Sequence, residues 1–431
     1  MDEYGYLIQP DSRRTVRDLF VHTTRRIVLI GIAGLLNGIG AILQLRRAGK
    51  PRPPMLRPET FSPKRILVIR LDLIGDLVMS LVFVHALKRT YPNAEIDLLA
   101  VPSSASIITS DSDADISTVL TYDPNIWRRP KALGKLSNWR TLFALMRRMQ
   151  NRHYDLAVSV FGPWAAIFGL LSGATRRLGF GQEGYYGFLT DSVAGRHWDP
   201  RDHQHEVDYC LELAHAAGAT VTEEDRIPHL DVDPQAQREV EQLLHNEGIS
   251  PDAPLIACHV SSNNGQSKRW PVPYWATLAD RLIREEHAVV VLTGAPNDQP
   301  LIEQVLRRTH EHLVNLAGKT SLPQLAALLH RADLMVTGDS GPMHIAAAVG
   351  TPLIAIHGPT DPALSGPVSP KATILRSDIW CSPCYDAKGP ANCRFHTTQC
   401  MKNITPAQVF SVVQEKLHKP EKERIEGERH L

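Results

Sequence analysis

The sequence predicts an α/β protein built from two doubly wound parallel sheets. The chain has 431 residues, which is too long for one ordinary core and long enough for two domains. Short apolar runs rich in Val, Ile and Leu recur along it, as is typical of strands buried on both faces of a parallel sheet. Helical segments alternate with these runs in two series, which a polar stretch separates, so two α/β domains are expected.

The first series begins after a Pro-rich linker. A buried strand starts at Arg65, the chain turns over residues 72–75, and a helix is expected at 76–90, with Leu residues along one face and Pro92 ending it. The remaining elements of this series are strands at 95–101, 119–122 and 155–161 and a helix at 139–150.

The second series predicts a similar domain. Its strands are expected at 255–260, 288–293, 313–316, 334–337 and 353–357, and its helices at 273–286, 298–310, 321–331 and 341–349. Two Rossmann-like domains leave a central cleft, where such sheets place ligands beyond the carboxyl ends of their strands. The predicted divisions are an N-terminal segment with the linker (1–63), a first domain (64–230), a connection (231–253), a second domain (254–418) and a disordered charged tail (419–431).

Charge excludes one class of partner. The 47 Lys and Arg residues nearly balance the 46 Asp and Glu residues, and the net charge is +1. Proteins that bind nucleic acid usually carry a marked basic excess, so no nucleic-acid partner is expected.

The N-terminal segment combines basic and apolar character. Residues 1–60 hold ten Arg or Lys and five Asp or Glu around an apolar run at 27–43. The run is short for a membrane-spanning helix, and no small-residue cleavage site follows it as in a signal peptide. A membrane-surface or re-entrant anchor suits the basic flanks, and a buried N-terminal helix is the alternative.

The clearest candidate binding site is the turn between a strand and a helix at residues 336–344. Free backbone N–H groups and the helix dipole favour an anion such as a diphosphate at a helix start. Gly341 lets such a group approach the backbone closely. Asp339 and Ser340 could contact this ligand or cap the helix, and the two roles are compatible.

A lysine faces the same edge of the predicted sheet. Lys268 lies in the loop after strand 255–260, where it could neutralise a diphosphate leaving group. The alternative is a solvated loop lysine. Ser261 and Ser262, at the end of the same strand, are candidate phosphate or ribose contacts.

Gly75 and Asp76 mark the corresponding strand-to-helix turn of the first domain. Asp76 has two interpretations: a carboxylate stabilised by the helix dipole, or a general base that faces the cleft. Residue chemistry alone does not separate them.

Three groups of residues suggest metals. Cys381, Cys384, Cys393 and Cys400 have a C-x2-C-x8-C-x6-C spacing that suits structural zinc or an iron–sulfur cluster, while reduced thiols or two disulfides are the alternatives. The acidic triplet at residues 111–115 lacks the glycine and glutamate of an EF-hand, so a solvated loop is favoured. The histidines at 197–205 fit no zinc pattern and are expected at the surface or in the cleft.

Three segments together resemble the lipopolysaccharide heptosyltransferases of glycosyltransferase family nine. They are RILVIRLDLIGDLVMSLVFVHALKRTYPNAEIDLL, SKRWPVPYWATLADRL and VTGDSGPMHIAAAVGTPLIAIHGPTDP, and the terminal cysteine-rich segment is similar to a subset of that family. The likeness covers roughly residues 64–415. It implies a GT-B fold, in which the first domain binds the acceptor and the second binds a nucleotide sugar, typically ADP-heptose.

The resemblance also implies roles for particular residues. Asp76 matches the catalytic base, beside Gly75 on the acceptor side, and Lys268 matches the lysine that meets the donor phosphates. Further donor contacts are implied at Gly294, Asp339, Ser340, Gly341 and His344. Pro296 stands where family members have a glutamate, which places the ribose contact in question. The implied transfer inverts the sugar and requires no metal.

The expected partners are a nucleotide sugar and a lipid-linked glycan acceptor at the cytoplasmic face of the inner membrane, where the N-terminal segment would contact the membrane surface. Alternatives are a transferase or epimerase that uses another nucleotide sugar, or a catalytically silent binding protein at the membrane.

Overall fold

The computed structural model describes residues 56–418 apart from 58, 110–111, 129–130, 183–185, 196–203, 263–264 and 386–391, together with Gly38 and Ile42. The predicted apolar anchor, apart from those two positions, and the predicted tail lie outside the described residues. Among the helices that are described, none is both long and apolar enough to cross a bilayer.

The first domain is a parallel six-stranded sheet flanked by helices. Its strands pair in the order β3-β2-β1-β4-β5-β6. They are β1 (Arg65–Arg70), β2 (Glu95–Ala100), β3 (Thr118–Thr121), β4 (Leu156–Ser159), β5 (Arg176–Phe180) and β6 (Asp191–Val193). The helices are α1 (Ile74–Met79), α2 (Leu81–Thr90), α3 (Pro102–Ala105), α4 (Leu136–Arg152), α5 (Gly162–Leu171) and α6 (Glu206–Ala216).

The second domain repeats this plan. Its sheet is ordered β12-β11-β10-β7-β8-β9. The strands are β7 (Leu255–His259), β8 (Val289–Thr293), β9 (Val314–Asn315), β10 (Leu334–Gly338), β11 (Leu353–His357) and β12 (Ala372–Arg376). The helices are α7 (Pro234–Asn246), α8 (Val272–Glu286), α9 (Gln299–Leu306), α10 (Leu322–Arg331), α11 (Gly341–Ala348), α12 (Pro362–Ser365), α13 (Gln399–Lys402) and α14 (Pro406–His418).

Both sheets reverse their strand order at one point, and these points position the site. In the first sheet β1 pairs with both β2 and β4. In the second, β7 pairs with both β8 and β10. Loops that leave such strands in opposite directions open a crevice at the carboxyl edge of the sheet. The turn before Asp76 follows β1, the loop to Lys268 follows β7, and the turn to Ser340 follows β10, so all three candidate segments lie at these crevices.

The connection between the domains contacts both. The Leu230 N–H donates to Ala348 O in the second domain, at 3.1 Å, and the Asp231 N–H donates to Ser112 O in the first, at 3.1 Å. Helix α7, at the end of this connection, packs its apolar face against α10. Leu56, in the segment predicted as a linker, is buried in the core of the first domain.

The two predicted α/β domains are confirmed, and several elements differ from the predictions. The helix expected at 76–90 is divided at Ser80, whose Oγ donates to Asp76 O at 2.7 Å; this i−4 bond competes with the helical pattern. Strands β5, β6 and β12 and helices α5, α6 and α14 were not predicted. Helix α5 (GPWAAIFGLL) has no polar face to reveal a helical period, and β5 (RRLGF) contains two arginines.

Candidate functional site

A buried ion pair lies at the centre of the predicted donor side. Lys268 Nζ is 2.6 Å from Asp339 Oδ2, and both side chains are at most 11% exposed. The structure therefore brings together two residues that the sequence placed on separate loops. Lys268 is not a solvated loop lysine: it is buried in a single turn (Gln266–Lys268), and its carbonyl oxygen would be 3.2 Å from a Cβ on Gly338 of β10.

The charges around Asp339 keep its carboxylate ionised. Burial raises the pKa of Asp339, but the charge of Lys268 and the hydrogen bond from its ammonium group outweigh this effect, so the pKa lies below its usual value. The ring of Tyr385 covers the same ammonium group, with Lys268 Nζ 4.2 Å from the ring centroid. Lys268 is thus held by a carboxylate and an aromatic face.

The serines after β7 are buried and hydrogen-bonded within the protein. Ser262 Oγ donates to Asp339 O at 3.1 Å, and Ser261 Oγ donates to the carboxylate of Asp298. Asp298 also accepts from the Ala295 N–H at 2.8 Å and lies beside Gly294, where a Cβ would be 3.1 Å from the Asp298 Cβ. A buried acid therefore stands at the end of β8, two residues beyond Pro296.

Helix α11 starts at the predicted turn, without a side-chain cap. Ser340 is its N-cap residue, but its Oγ lies 3.0 Å from Thr337 Oγ1 and makes no cap hydrogen bond. The capping alternative is therefore wrong for the Ser340 side chain. Pro342 occupies the first turn. His344 is buried, and this burial lowers its pKa to about 4, so its imidazole is neutral at pH 7.

The two domains touch where the two helix starts meet. A Cβ on Gly75 would lie 2.8 Å from His344 Cδ2, and a Cβ on Gly341 would overlap Ile74 Cγ2. Only glycine permits this approach, because any side chain would have to displace a neighbouring residue. The turn with Gly75 and Asp76, predicted for the acceptor side, thus abuts the turn with Ser340 and Gly341, predicted for the donor side.

Asp76 belongs to a charged cluster at the end of β1. Its Oδ1 is 3.6 Å from Arg70 Nη2, and Asp72 Oδ2 is 3.1 Å from Arg70 Nε. Arg70 Nη1 is 2.9 Å from Glu206 Oε1, and both of these side chains are at most 1% exposed. The Asp76 side chain is 30% exposed, so it lies between a buried guanidinium and the opening of the cleft.

Sequence reasoning missed Arg70, Glu206 and His357. Arg70 interrupts an apolar strand (RILVIR), which is a detectable signal, because a buried charge requires a partner. Nothing in the sequence identified Glu206 as that partner. Among the described residues, no group hydrogen-bonds to His357 Nε2, although the side chain is fully buried beside Asp339.

The cysteine cluster borders the predicted donor side. Cys381, Cys384, Cys393 and Cys400 line one pocket together with Ser267 and Tyr385. Within the described ranges, the one group of three or more His, Cys, Asp or Glu whose ligand atoms lie within 4.8 Å of one another is His85, Asp113 and Asp115. The four thiols are therefore not at metal-ligand spacing, and burial raises the pKa of Cys400 to about 11, which favours its neutral thiol.

The two remaining groups that could suggest a metal are the histidines at 197–205 and the acidic triplet at 111–115. His205 is buried where the two domains meet: its Nδ1 accepts from the Val207 N–H at 3.1 Å, and its Nε2 is 3.2 Å from Gly366 O of the second domain. His197 and His203 lie outside the described residues. The solvated loop predicted for the acidic triplet is wrong at Asp113, which is buried and lies 3.1 Å from His85 Nε2.

Comparisons with known proteins agree on one family. The model of "Glycosyltransferase family 9 (heptosyltransferase)" matches residues 142–394. Lipooligosaccharide heptosyltransferase 2 of Haemophilus influenzae is 30% identical over 82% of this chain and 99% of that protein. Lipopolysaccharide heptosyltransferase 2 of Escherichia coli is 29% identical over 80% of this chain and 96% of that protein.

Solved structures share the fold. The E. coli ADP-heptose lipopolysaccharide heptosyltransferase II superposes with a TM-score of 0.65 at 27% identity, covering 82% of this chain and 98% of that one. A family 9 glycosyl transferase from Veillonella parvula gives a TM-score of 0.70 at 21% identity, over 83% and 98% of the two chains. The GT-B architecture expected from the sequence is thereby confirmed. The chain belongs to glycosyltransferase family 9, the heptosyltransferases, and is a glycosyltransferase that depends on a nucleotide sugar.

Proposed function

We propose that this protein transfers heptose from ADP-heptose to a lipopolysaccharide-core acceptor, with inversion of the sugar and without a catalytic metal. The observation that carries the proposal is the contact of two turns, Gly75-Asp76 from the first domain and Ser340-Gly341 from the second. A transferase needs an acceptor-activating group and a leaving-group site at adjacent positions. The relatives named for heptose transfer to lipopolysaccharide support the donor and acceptor assigned here.

Asp76 acts as the general base in this proposal. Its carboxylate takes the proton from an acceptor hydroxyl as that oxygen attacks the anomeric carbon. The bond from the anomeric carbon to the diphosphate oxygen breaks, and ADP departs from the opposite face. A single displacement of this kind inverts the configuration of the sugar.

The donor side stabilises the departing diphosphate. The Lys268 ammonium and the start of α11, with Gly341 as its first residue, present positive charge and backbone dipole to an anion. Neutral His344 and His357 add hydrogen-bonding capacity without charge. Asp339 holds Lys268 in position, and Ser261, Ser262 and Gly294 shape the strand ends beside it.

No step of this transfer passes through the cysteine cluster. Four thiols have the right chemistry for structural zinc or an iron–sulfur cluster, but no three of their sulfur atoms lie within 4.8 Å of one another in the structure. A bound metal would have to draw them together and deprotonate them. Metal analysis of the purified protein decides this prediction.

The acceptor in this proposal is anchored in a bilayer, so the enzyme works at the cytoplasmic face of the inner membrane. The basic excess of residues 1–60 and the apolar run at 27–43 support contact with an anionic membrane surface.

Lys268→Met is expected to raise the KM for ADP-heptose about 10- to 100-fold, because a hydrogen bond to a charged group contributes about 1.5–3 kcal/mol. The measurement is a titration of donor at saturating acceptor. Lys319→Met is the control, because Lys319 is an exposed lysine of the same domain that pairs with Glu247.

The Lys268 variant leaves Asp339 as an uncompensated buried charge, so a stability loss must be separated from a binding loss. The double variant Lys268→Met/Asp339→Asn removes both charges and should recover stability without recovering donor affinity. An unchanged KM in a folded Lys268→Met protein would contradict the donor role.

A further inference from the structure

One surface of the first domain has an unusual charge. Residues 125–152 contain eight Arg or Lys and no Asp or Glu, within a chain of net charge +1. Arg152 pairs with Asp97 and Glu95 inside the domain. Five others are exposed, and no carboxylate pairs with them among the described residues: Lys131, Lys135, Arg140, Arg147 and Arg148.

Large apolar side chains are exposed among these charges. Leu133, Leu136 and Phe143 are 56%, 63% and 51% exposed. Leu136, Arg140, Phe143 and Arg147 follow the i, i+4, i+7, i+11 pattern of one helix face. The opposite face of α4 buries Leu145 and Met149. The helix therefore already contributes one apolar face to the core, and the exposed apolar side chains belong to a second face. We call Lys131, Leu133 and this four-residue stripe the α4 surface.

The α4 surface starts at the same edge of the sheet as the candidate base and continues along the helix away from that edge. Strands β1, β2 and β3 run parallel, so the segment leaving β3 and the start of α4 lie at the edge where β1 delivers Asp76. Leu73 and Phe161, which follow β1 and β4, are also exposed there, by 53% and 36%. Five of the six large exposed hydrophobic side chains described between residues 64 and 230 therefore lie on α4 or at this edge.

We propose that the α4 surface docks on an anionic phospholipid bilayer. Basic residues near an anionic leaflet and apolar side chains that enter the interface add their contributions, as in interfacial amphipathic helices. The exposed leucines and phenylalanine favour a bilayer over a nucleic acid, because aliphatic side chains gain most by entering hydrocarbon. This docking would present a lipid-linked acceptor to Asp76, a role that rests on the proposed function.

The test measures binding of the full-length protein to vesicles by flotation, without substrates. Two vesicle types are used: phosphatidylcholine alone, and phosphatidylcholine mixed with phosphatidylglycerol. Wild type should prefer the anionic vesicles. Arg140→Gln/Arg147→Gln should lower partitioning onto them about 30-fold, as expected for two basic residues at an anionic surface. Leu136→Ser/Phe143→Ser should lower binding at equal charge.

The matched control is Arg307→Gln/Arg308→Gln, which removes two basic residues after α9 of the second domain and should bind as wild type does. The proposal is overturned if the Arg140/Arg147 variant binds anionic vesicles like wild type, or if the control loses as much. It is also overturned if wild type binds duplex nucleic acid but neither vesicle.

Measuring sugar transfer together with vesicle binding shows whether the docking surface or the proposed function is at fault when an experiment fails. The Arg140/Arg147 variant should transfer normally to a detergent-solubilised acceptor, because its substitutions lie outside the base and the donor side. If wild type binds vesicles as expected but transfers no sugar, the docking surface stands and the proposed function fails. If transfer to the detergent-solubilised acceptor occurs and neither vesicle binds, the proposed sugar transfer stands, and both the docking surface and the proposed membrane contact of residues 1–60 are wrong.

Discussion

Asp76→Asn is expected to reduce kcat by about 10²–10⁴-fold, the range that removal of a general base produces, while donor affinity stays near that of wild type. Asparagine preserves the size of the side chain and its place in the first turn of α1, but its amide cannot accept the proton of the acceptor hydroxyl. Because the donor side comes from the second domain, the substitution leaves Lys268 and Asp339 in place.

The measurement for Asp76→Asn combines steady-state turnover with an independent titration of ADP binding. Asp72→Asn is an informative comparison, because Asp72 contacts the same Arg70 guanidinium and is 24% exposed. If Asp76 is the base, the loss at Asp72 should be much smaller. Wild-type-like turnover of Asp76→Asn, or equal losses at both positions, would contradict the assignment.

Glu206→Leu is expected to destabilise the protein by about 3 kcal/mol or more, because it leaves the buried Arg70 guanidinium without its closest carboxylate. Asp72 and Asp76 remain near Arg70 but are partly exposed, so they compensate the charge incompletely. Denaturant unfolding monitored by circular dichroism measures the loss. Asp208→Asn, on the same helix as Glu206, is the control. It breaks a partly exposed ion pair with Arg226 and should cost about 1 kcal/mol or less.

The double variant Arg70→Met/Glu206→Leu distinguishes stability from positioning. Replacing both charges of a buried pair with apolar residues usually recovers most of the stability that one replacement loses. Activity should not recover with it, since Arg70 is the cation that contacts Asp76. A double variant that regains full turnover would show that Arg70 has only a structural role.

The sequence was sufficient to predict most of the two sheets. Strands such as β1 and β10 consist mainly of buried apolar residues, so a short apolar run in the sequence is enough to locate them. Strand β5 escaped prediction because it carries two arginines; the Arg177 guanidinium is buried and donates to the carbonyls of Phe188 and Ala174, partners that only the folded chain supplies.

The candidate site was predictable in its parts but not in its assembly. Asp339, Ser340 and Lys268 each occupy strand ends that local patterns locate. Their pairing, and the contact of Gly75 with His344 across the domains, depend on how the two sheets face each other. The Arg70–Glu206 pair joins the first strand to a helix that the sequence did not reveal, so its existence could not be predicted.

In the proposed function, one cleft joins an ADP-heptose site to a base that activates a lipopolysaccharide acceptor. The most direct measurement is the nucleotide released by the purified full-length protein from a panel of ADP-, UDP-, GDP- and CMP-sugars, with and without lipopolysaccharide-core lipid, together with the mass of the glycolipid product. We expect ADP release from ADP-heptose only when acceptor is present, and a product heavier by one heptose. Release of another nucleotide from its sugar, or conversion of ADP-heptose without acceptor, would contradict the claim.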